Sequence, residues 1–208
     1  MLETASVAMA VYNGERFLEQ QIDSILEQLS SDDELVISYD ESQDGTLSLI
    51  SKYAETDGRV KIVRNAEPGV VGNFNNAIQN CCKDIIFISD QDDIWKSGKK
   101  DAMLRLLNET GADLAIHNVV HINGEGIVIS KPLFEEYGIR GGGYCVTSLN
   151  HDTADAVWLF LQAQNDSSCP CLLVSSITII GSVWSANYSE RLSSTIVSFW
   201  SIDCTAVM

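Results

Sequence analysis

The run Ile85-Ile86-Phe87-Ile88-Ser89, followed at once by Asp90-Gln91-Asp92-Asp93, constrains this chain more than any other stretch. Four apolar residues and a serine bounded by polar ones read as a strand buried on both faces. Its end carries three carboxylates in four positions. A strand that finishes in acids delivers them to the carboxyl edge of a sheet, where open α/β proteins place their ligands. Charges this close repel one another, and carboxylates are hard oxygen donors, so a divalent cation (Mn²⁺ or Mg²⁺) is their natural neutraliser. Such a cation keeps open positions for phosphate oxygens, so a phosphate-bearing ligand is expected. A solvated acidic loop after a core strand is the plain alternative, and Asp-x-Asp-Asp alone does not separate the two.

The remaining segments alternate between the two periods. Ala5 to Val11 reads as the first strand, and Tyr12-Asn13-Gly14 ends it, with Asn13 or Gly14 near a helix cap. Leu18, Ile22, Ile25, Leu26 and Leu29 repeat at helical spacing and predict a helix from about Glu15 to Leu29. Glu34 to Tyr39 reads as a second strand, and Asp40 to Thr46 as a polar turn in which Asp44 caps the next helix. That helix carries Leu47, Ile50 and Ala54 inward. Val60 to Val63 forms a third strand, Gly69 and Gly72 loosen the loop after it, and Phe74, Ala77 and Ile78 mark a third helix. Ile85 to Ser89 is the fourth strand. Lys96 to Glu109 reads as a helix with Met103, Leu106 and Leu107 inward and Lys96, Lys99 and Lys100 on a solvated face. Leu114 to His117 is a further strand, and Val119–Ile122 and Ile127–Ile129 flank Asn123-Gly124-Glu125-Gly126 as a hairpin. Strands alternating with helices predict an α/β fold, a mostly parallel, doubly wound sheet with helices on both faces.

Composition narrows the class. A net charge of -16 on 208 residues argues against a nucleic-acid partner, which calls for a basic face. No apolar run reaches membrane-span length, and no basic stretch followed by an apolar one opens the chain, so a cytoplasmic protein is expected. The six cysteines lack disulfide-scaffold density and zinc spacing, and read as free thiols. His117 and His121 fall in strand and hairpin and read as packing or surface residues, not as a metal pair. Neither Gly-x-Gly-x-x-Gly after the first strand nor a P-loop is present, so a nucleotide would be held through metal. The ends of strands one, two and four would supply its site: Tyr12 and Asn13 an aromatic and an amide for a base, Asp40 a carboxylate for a base N–H or a ribose hydroxyl.

Three motifs in register carry a resemblance. Val11-Tyr12-Asn13-Gly14, then Tyr39 to Thr46, then Asp90-Gln91-Asp92-Asp93-Ile94-Trp95 resemble the successive signatures of family 2 glycosyltransferases over roughly residues 4 to 137. The resemblance implies the GT-A fold, a nucleotide-diphosphate sugar donor, a divalent metal and, in inverting members, a general base from the C-terminal region, which the motifs here do not locate. It places Asp90 at ribose or metal, Asp92 on the metal, Asp93 beside it, and Asn73 and Asn75 among donor-binding positions. Asp93 and Trp95 then stand on the acceptor side, Trp95 either facing a sugar or plugging the sheet edge. The Asp-Asp-x-Trp variant resembles the rhamnosyltransferase-like branch that builds bacterial surface polysaccharides on a saccharide or lipid-linked acceptor, with peripheral association at the inner membrane. Many members carry a carboxylate where Tyr39 stands, which passes the base contact to Asp40.

Residues 1–140 form the expected nucleotide-sugar-binding domain, and 141–208 an atypical C-terminal segment. Of 42 charged side chains only 6 lie in the latter, which holds 21 Ser, Thr and Cys in 68 residues. The family continues with Gly-Cys-Cys-Met and His/Asp-x-x-Trp motifs that this segment lacks. Back-translated two bases on, Asp155 to Phe160 can read C-C-M-A-F and Ile177 to Trp184 can read H-H-W-I-G-L, which points to a frameshift near Gly141-Gly142-Gly143. A poorly ordered segment, or a genuine small β-rich extension, is the other reading, and the 172–180 run is an aggregation hazard if exposed. Three functions follow: sugar transfer, a non-catalytic nucleotide-sugar-binding relic, and a nucleotidyltransferase.

Overall fold

The computed structural model describes residues 2–110, 114–136, 177–180 and 203–207, the last two stretches as backbone strands. In chain order the elements are β1 (Ala5–Val11), α1 (Leu18–Leu26), β2 (Glu34–Tyr39), α2 (Thr46–Thr56), β3 (Val60–Arg64), α3 (Val70–Gln79), β4 (Ile85–Ser89), β5 (Asp93–Trp95), α4 (Lys99–Thr110), β6 (Leu114–Ile116), β7 (Asn118–His121), α5 (Leu133–Glu136), β8 (Ile177–Ile180) and β9 (Asp203–Val207). The main sheet runs β3-β2-β1-β4-β8-β6. Its first four strands are parallel, and β8 is antiparallel to both β4 and β6. A smaller sheet, β5-β9-β7, stands beside it. Apart from β8 and β9, the reading of residues 141–208 lies outside the described residues.

Side chains alternate across the strands, so each face of the sheet collects every second residue. Val7, Met9 and Val11 of β1, Leu35 and Ile37 of β2, and Ile85 and Phe87 of β4 share one core with Leu18, Ile22 and Ile25 of α1 and Ile50 of α2. The alternate residues Ala8, Val36, Ile86 and Ile88 are equally buried, as are Phe74, Ala77 and Ile78 of α3. Asn76 of α3 donates to Ser38 Oγ at 2.7 Å, which seats this helix on the second face. Right-handed crossovers explain the division. The chain moves one way through β1, β2 and β3 and then back across to β4, which carries α3 to the opposite side from α1 and α2.

Four expectations are corrected. The first helix begins at Leu18, because Phe17 and Leu18 both donate to Gly14 O and wind Glu15 to Phe17 into a turn. Gly72 lies inside α3 and not in the loop before it. The hairpin after β7 closes through one bridge, Ile122 to Val128, so its second arm forms no strand. Lys99 and Lys100 are buried, not solvated. Lys99 Nζ stands 4.2 Å over the Trp95 ring. Lys100 Nζ meets Asp33 Oδ2 at 2.6 Å, in a carboxylate that also accepts from Ala5 N, Ser30 N and Ser30 Oγ. Burial raises the Asp33 pKa, but Lys100 and these donors outweigh it and hold the group below its ordinary value.

Candidate functional site

Register fixes the site. Val11 pairs with Tyr39, and Met9 with Ser89, so β1, β2 and β4 end on one edge of the sheet. Tyr12–Gly14, Asp40–Gly45 and Asp90–Asp92 therefore leave that edge as neighbouring loops. The first two are fastened together. Asn13, at φ 48°, donates its N–H to Ser42 Oγ at 3.0 Å and accepts from Gln43 N at 2.8 Å. Gly14 N donates to Thr46 Oγ1 at 2.8 Å, and Glu15 N to Asp44 Oδ2 at 3.1 Å. Asp44 Oδ1 accepts from Thr46 N at 3.1 Å at the start of α2, but the cap position itself is Gly45, so Asp44 stands one residue before the cap expected of it. Tyr39 is buried, and its hydroxyl accepts from Ser42 N at 3.0 Å, holding the second loop down. Tyr12 keeps its side chain half exposed.

Asp40 reaches sideways. Its carboxylate is buried and accepts from Asn65 Nδ2 at 2.6 Å and from Gly69 N at 2.9 Å. It thus clamps the loop that leads into α3, at a glycine whose φ of 116° few other residues adopt. On α3, Asn73 is buried and donates Nδ2 to Val11 O at 3.1 Å, tying the helix to the end of β1. Its Oδ1 has no partner among the described residues. Asn75 is half-buried one position beyond Phe74.

The acid loop is held from two sides. Gln91 Nε2 donates to Tyr12 O at 3.0 Å while its Oε1 accepts from Tyr12 N at 2.9 Å, so one side-chain amide extends the backbone ladder past the strand end. Gly14 makes room for it, since a Cβ there would lie 2.5 Å from Gln91 Oε1. From α1, Gln21 donates to Ser89 Oγ at 2.5 Å and to Asp90 O at 3.0 Å, and Ser24 Oγ accepts from Trp95 N at 3.0 Å. Neither glutamine belongs to the sequence-derived site. The available signal was Gln21 itself, a polar residue inside the apolar stripe of Leu18, Ile22 and Ile25.

Asp90 and Asp92 are half-buried, whereas Asp93 is buried on β5. No group of three His, Cys, Asp or Glu side chains suited to a metal occurs among the described residues. Two carboxylates fit an ion that completes its shell with phosphate oxygens and water, as Mg²⁺ does. Trp95 is 3 % exposed, with its ring centroid 5.1 Å from that of Phe87, so in this structure it plugs the sheet edge. His117 is buried, and burial together with the Lys99 charge holds its pKa well below the usual value. Cys81 and Cys82 are free thiols, and burial pushes Cys81 up to about 12. An open cleft of about 560 Å³ lies at the other end of the sheet, between Asp33, Glu34, Arg59, Lys61 and Lys83. It stands away from the acids, and its charges are largely paired internally, as in Lys61–Glu34 at 2.5 Å.

A mostly parallel sheet that ends in an acid loop, with a small second sheet beside it, defines a GT-A fold. The chain belongs to the family described as Glycosyl transferase family 2, which matches residues 6–165. It is 32 % identical over 138 residues to EpsE of Bacillus subtilis, covering 65 % of this chain and 46 % of that one. It is 28 % identical over 124 residues to an Escherichia coli protein, UDP-Glc:alpha-D-GlcNAc-diphosphoundecaprenol beta-1,3-glucosyltransferase WfgD, covering 59 % and 48 %. The fold of Staphylococcus aureus TarS superposes with a TM-score of 0.67 at 17 % identity, over 99 % of this chain and 60 % of that one. The chain spans about half the length of these curated relatives. Family membership favours sugar transfer over nucleotidyl transfer. Among the described residues no helix is long and apolar enough to cross a membrane.

Proposed function

We propose that this chain carries the donor-binding part of a glycosyltransferase that moves a sugar from a nucleotide-diphosphate donor to a saccharide or lipid-linked acceptor, in cell-surface polysaccharide synthesis at the cytoplasmic side of the membrane. One observation carries the reading: the loops after β1, β2 and β4 leave one sheet edge together, with Asp90 and Asp92 at their rim. Tyr12, Asn13 and Asp40 take the nucleoside side, and Asn73 and Asn75 line the donor from α3. Asp90 and Asp92 hold Mn²⁺ or Mg²⁺. The ion, when bound, stabilises the negative charge that leaves on the nucleoside diphosphate. Gln91 and Gln21 keep the acid loop at a fixed distance from Tyr12, so that metal and base sites are preorganised relative to each other. Asp93 and Trp95 stand on the acceptor side, Trp95 as the packed wall behind it.

Calorimetric titration with UDP, GDP and dTDP, with and without Mn²⁺, tests this directly. Binding of one nucleotide should tighten with metal, and Asp92→Ala should remove the metal-dependent part while leaving the chain folded. Metal-enhanced binding that survives Asp92→Ala refutes the assignment.

The division near residue 140 belongs to the same proposal. The drop in charged residues after it supports a C-terminal segment read in a shifted frame, which would leave a donor-binding domain with little transferase activity. Codons at Asp155–Phe160 and Ile177–Trp184 that forbid the alternative peptides end that idea.

A further inference from the structure

Ile127, Val128 and Ile129 are 56, 54 and 66 % exposed, three consecutive large apolar side chains on the returning arm of the loop after β7, where Val128 is bridged to Ile122. The arm is tied into its shape. Asn123 Oδ1 accepts from Glu125 N and Ile127 N, both at 3.0 Å, Asn123 N donates to Ile127 O, and Ile129 N donates to His121 O, both at 2.9 Å. Gly126 turns the chain at φ 78°. These bonds hold the three residues outward instead of letting them fold back on the body.

Register places this arm beside the acid loop. Asp93, the first residue of β5, and His121, the last of β7, both stand level with Val207 of the strand between them. The acid loop enters the small sheet, and the apolar loop leaves it, at one and the same edge. Two strand spacings, roughly 10 Å, separate them. Charge and size then select the occupant. Residues 122–131 hold one acid, Glu125, and one base, Lys131, so the loop is neutral on a chain of net charge -16. Three such side chains expose on the order of 300 Å², well short of the roughly 800 Å² per partner that a stable protein interface buries. A small, neutral, apolar knob suits shallow insertion at the boundary of a lipid layer.

We propose that Ile127–Ile129 dock the protein onto a lipid surface, with the donor site turned toward that surface. The inference rests on the proposed transfer to a lipid-linked acceptor and adds the element that brings the site to it. Because insertion is apolar and the body is acidic, binding favours neutral over anionic lipid and persists in high salt.

The test is co-flotation of the full chain with phosphatidylcholine vesicles at 0.05 and 0.5 M salt, and with vesicles carrying phosphatidylglycerol. The wild-type chain should float with the neutral vesicles at both salt concentrations. The triple variant I127S/V128S/I129S should lose at least tenfold in vesicle affinity, and the single variant Ile129→Lys, which spares the loop's hydrogen bonds, should lose severalfold. Nucleotide binding measured without vesicles should stay unchanged in both, so a failed docking reading and a failed donor reading give different results. Absence of flotation, or equal flotation of wild type and Ile129→Lys, overturns the proposal. A wild-type dimer that becomes monomeric on either substitution also overturns it, in favour of a second copy on this face.

Discussion

The side-chain amide of Gln91 occupies both backbone positions of Tyr12, accepting its N–H at 2.9 Å and donating to its carbonyl at 3.0 Å. A residue between the two acids proposed to hold a metal thereby sets the position of the residue proposed to face the nucleoside. Gln91→Leu keeps the volume and removes both bonds. Each neutral hydrogen bond is worth about 1 kcal/mol, and here the loss falls on loop placement more than on the core. Nucleotide affinity should fall about tenfold while the urea midpoint moves little. Calorimetry paired with urea unfolding checks this; a variant that binds as tightly as wild type would remove Gln91 from the argument.

Gly72 tests whether helix propensity or packing governs the start of α3. Alanine in a helix interior is ordinarily better than glycine by about 1 kcal/mol. Here a Cβ would lie 2.1 Å from the carbonyl oxygen of Glu67, a backbone atom that cannot swing away. Packing should win, and Gly72→Ala should lower the melting temperature. A rise would mean that the loop before α3 yields more readily than its bonds to Asp40 imply.

Asp40→Asn puts an amide N–H where a carboxylate oxygen accepts from Asn65 Nδ2 or Gly69 N. One donor then faces another in a buried place, at a cost of about 1–3 kcal/mol. Amide exchange at Gly69 should quicken, and nucleotide binding should weaken with it. Unchanged protection at Gly69 would show that the clamp is held from elsewhere.

Stability should decline in two stages as pH falls. His117 has its folded pKa held well below 6.5, first by burial and then by Lys99. The unfolded chain takes up a proton near pH 6.5 that the folded one refuses, so the first loss begins there. Asp33 has its folded pKa below 3.8, so the stability its ionised form provides is complete above 3.8 and is lost as pH falls from there through the lower folded value. Urea midpoints from pH 8 to pH 3 should show both limbs, and His117→Gln should flatten the upper one. A flat midpoint between pH 7 and pH 5 in the wild-type chain contradicts the assignment to His117.

Period and burial were legible wherever the side chains obeyed them. Every residue of β4 is buried, as its unbroken apolar run requires, and Phe74, Ala77 and Ile78 face inward together. The reading failed where one side chain does two things. Lys99 and Lys100 look like a polar helical face, but a lysine carries a long apolar stem, and each ammonium group finds a specific seat, over Trp95 or against Asp33. Trp95 was an open choice because an aromatic after an acid loop suits a sugar or a core equally, and only packing against Phe87 decides. Gln91 was invisible for another reason. A glutamine that copies a strand's hydrogen bonds leaves no periodic trace, and only the adjoining Gly14, with no space for a methyl group, records its presence.

The place of β8 governs the order in which this protein can be assembled. β1 to β4 are complete once residue 89 has left the ribosome, but among the described residues Leu114–Ile116 is joined to Ile85–Phe87 only through residues 177–180. The edge of β4 is therefore made 88 residues (89 to 177) before the strand that pairs with it, and an edge that waits for its partner can recruit other chains.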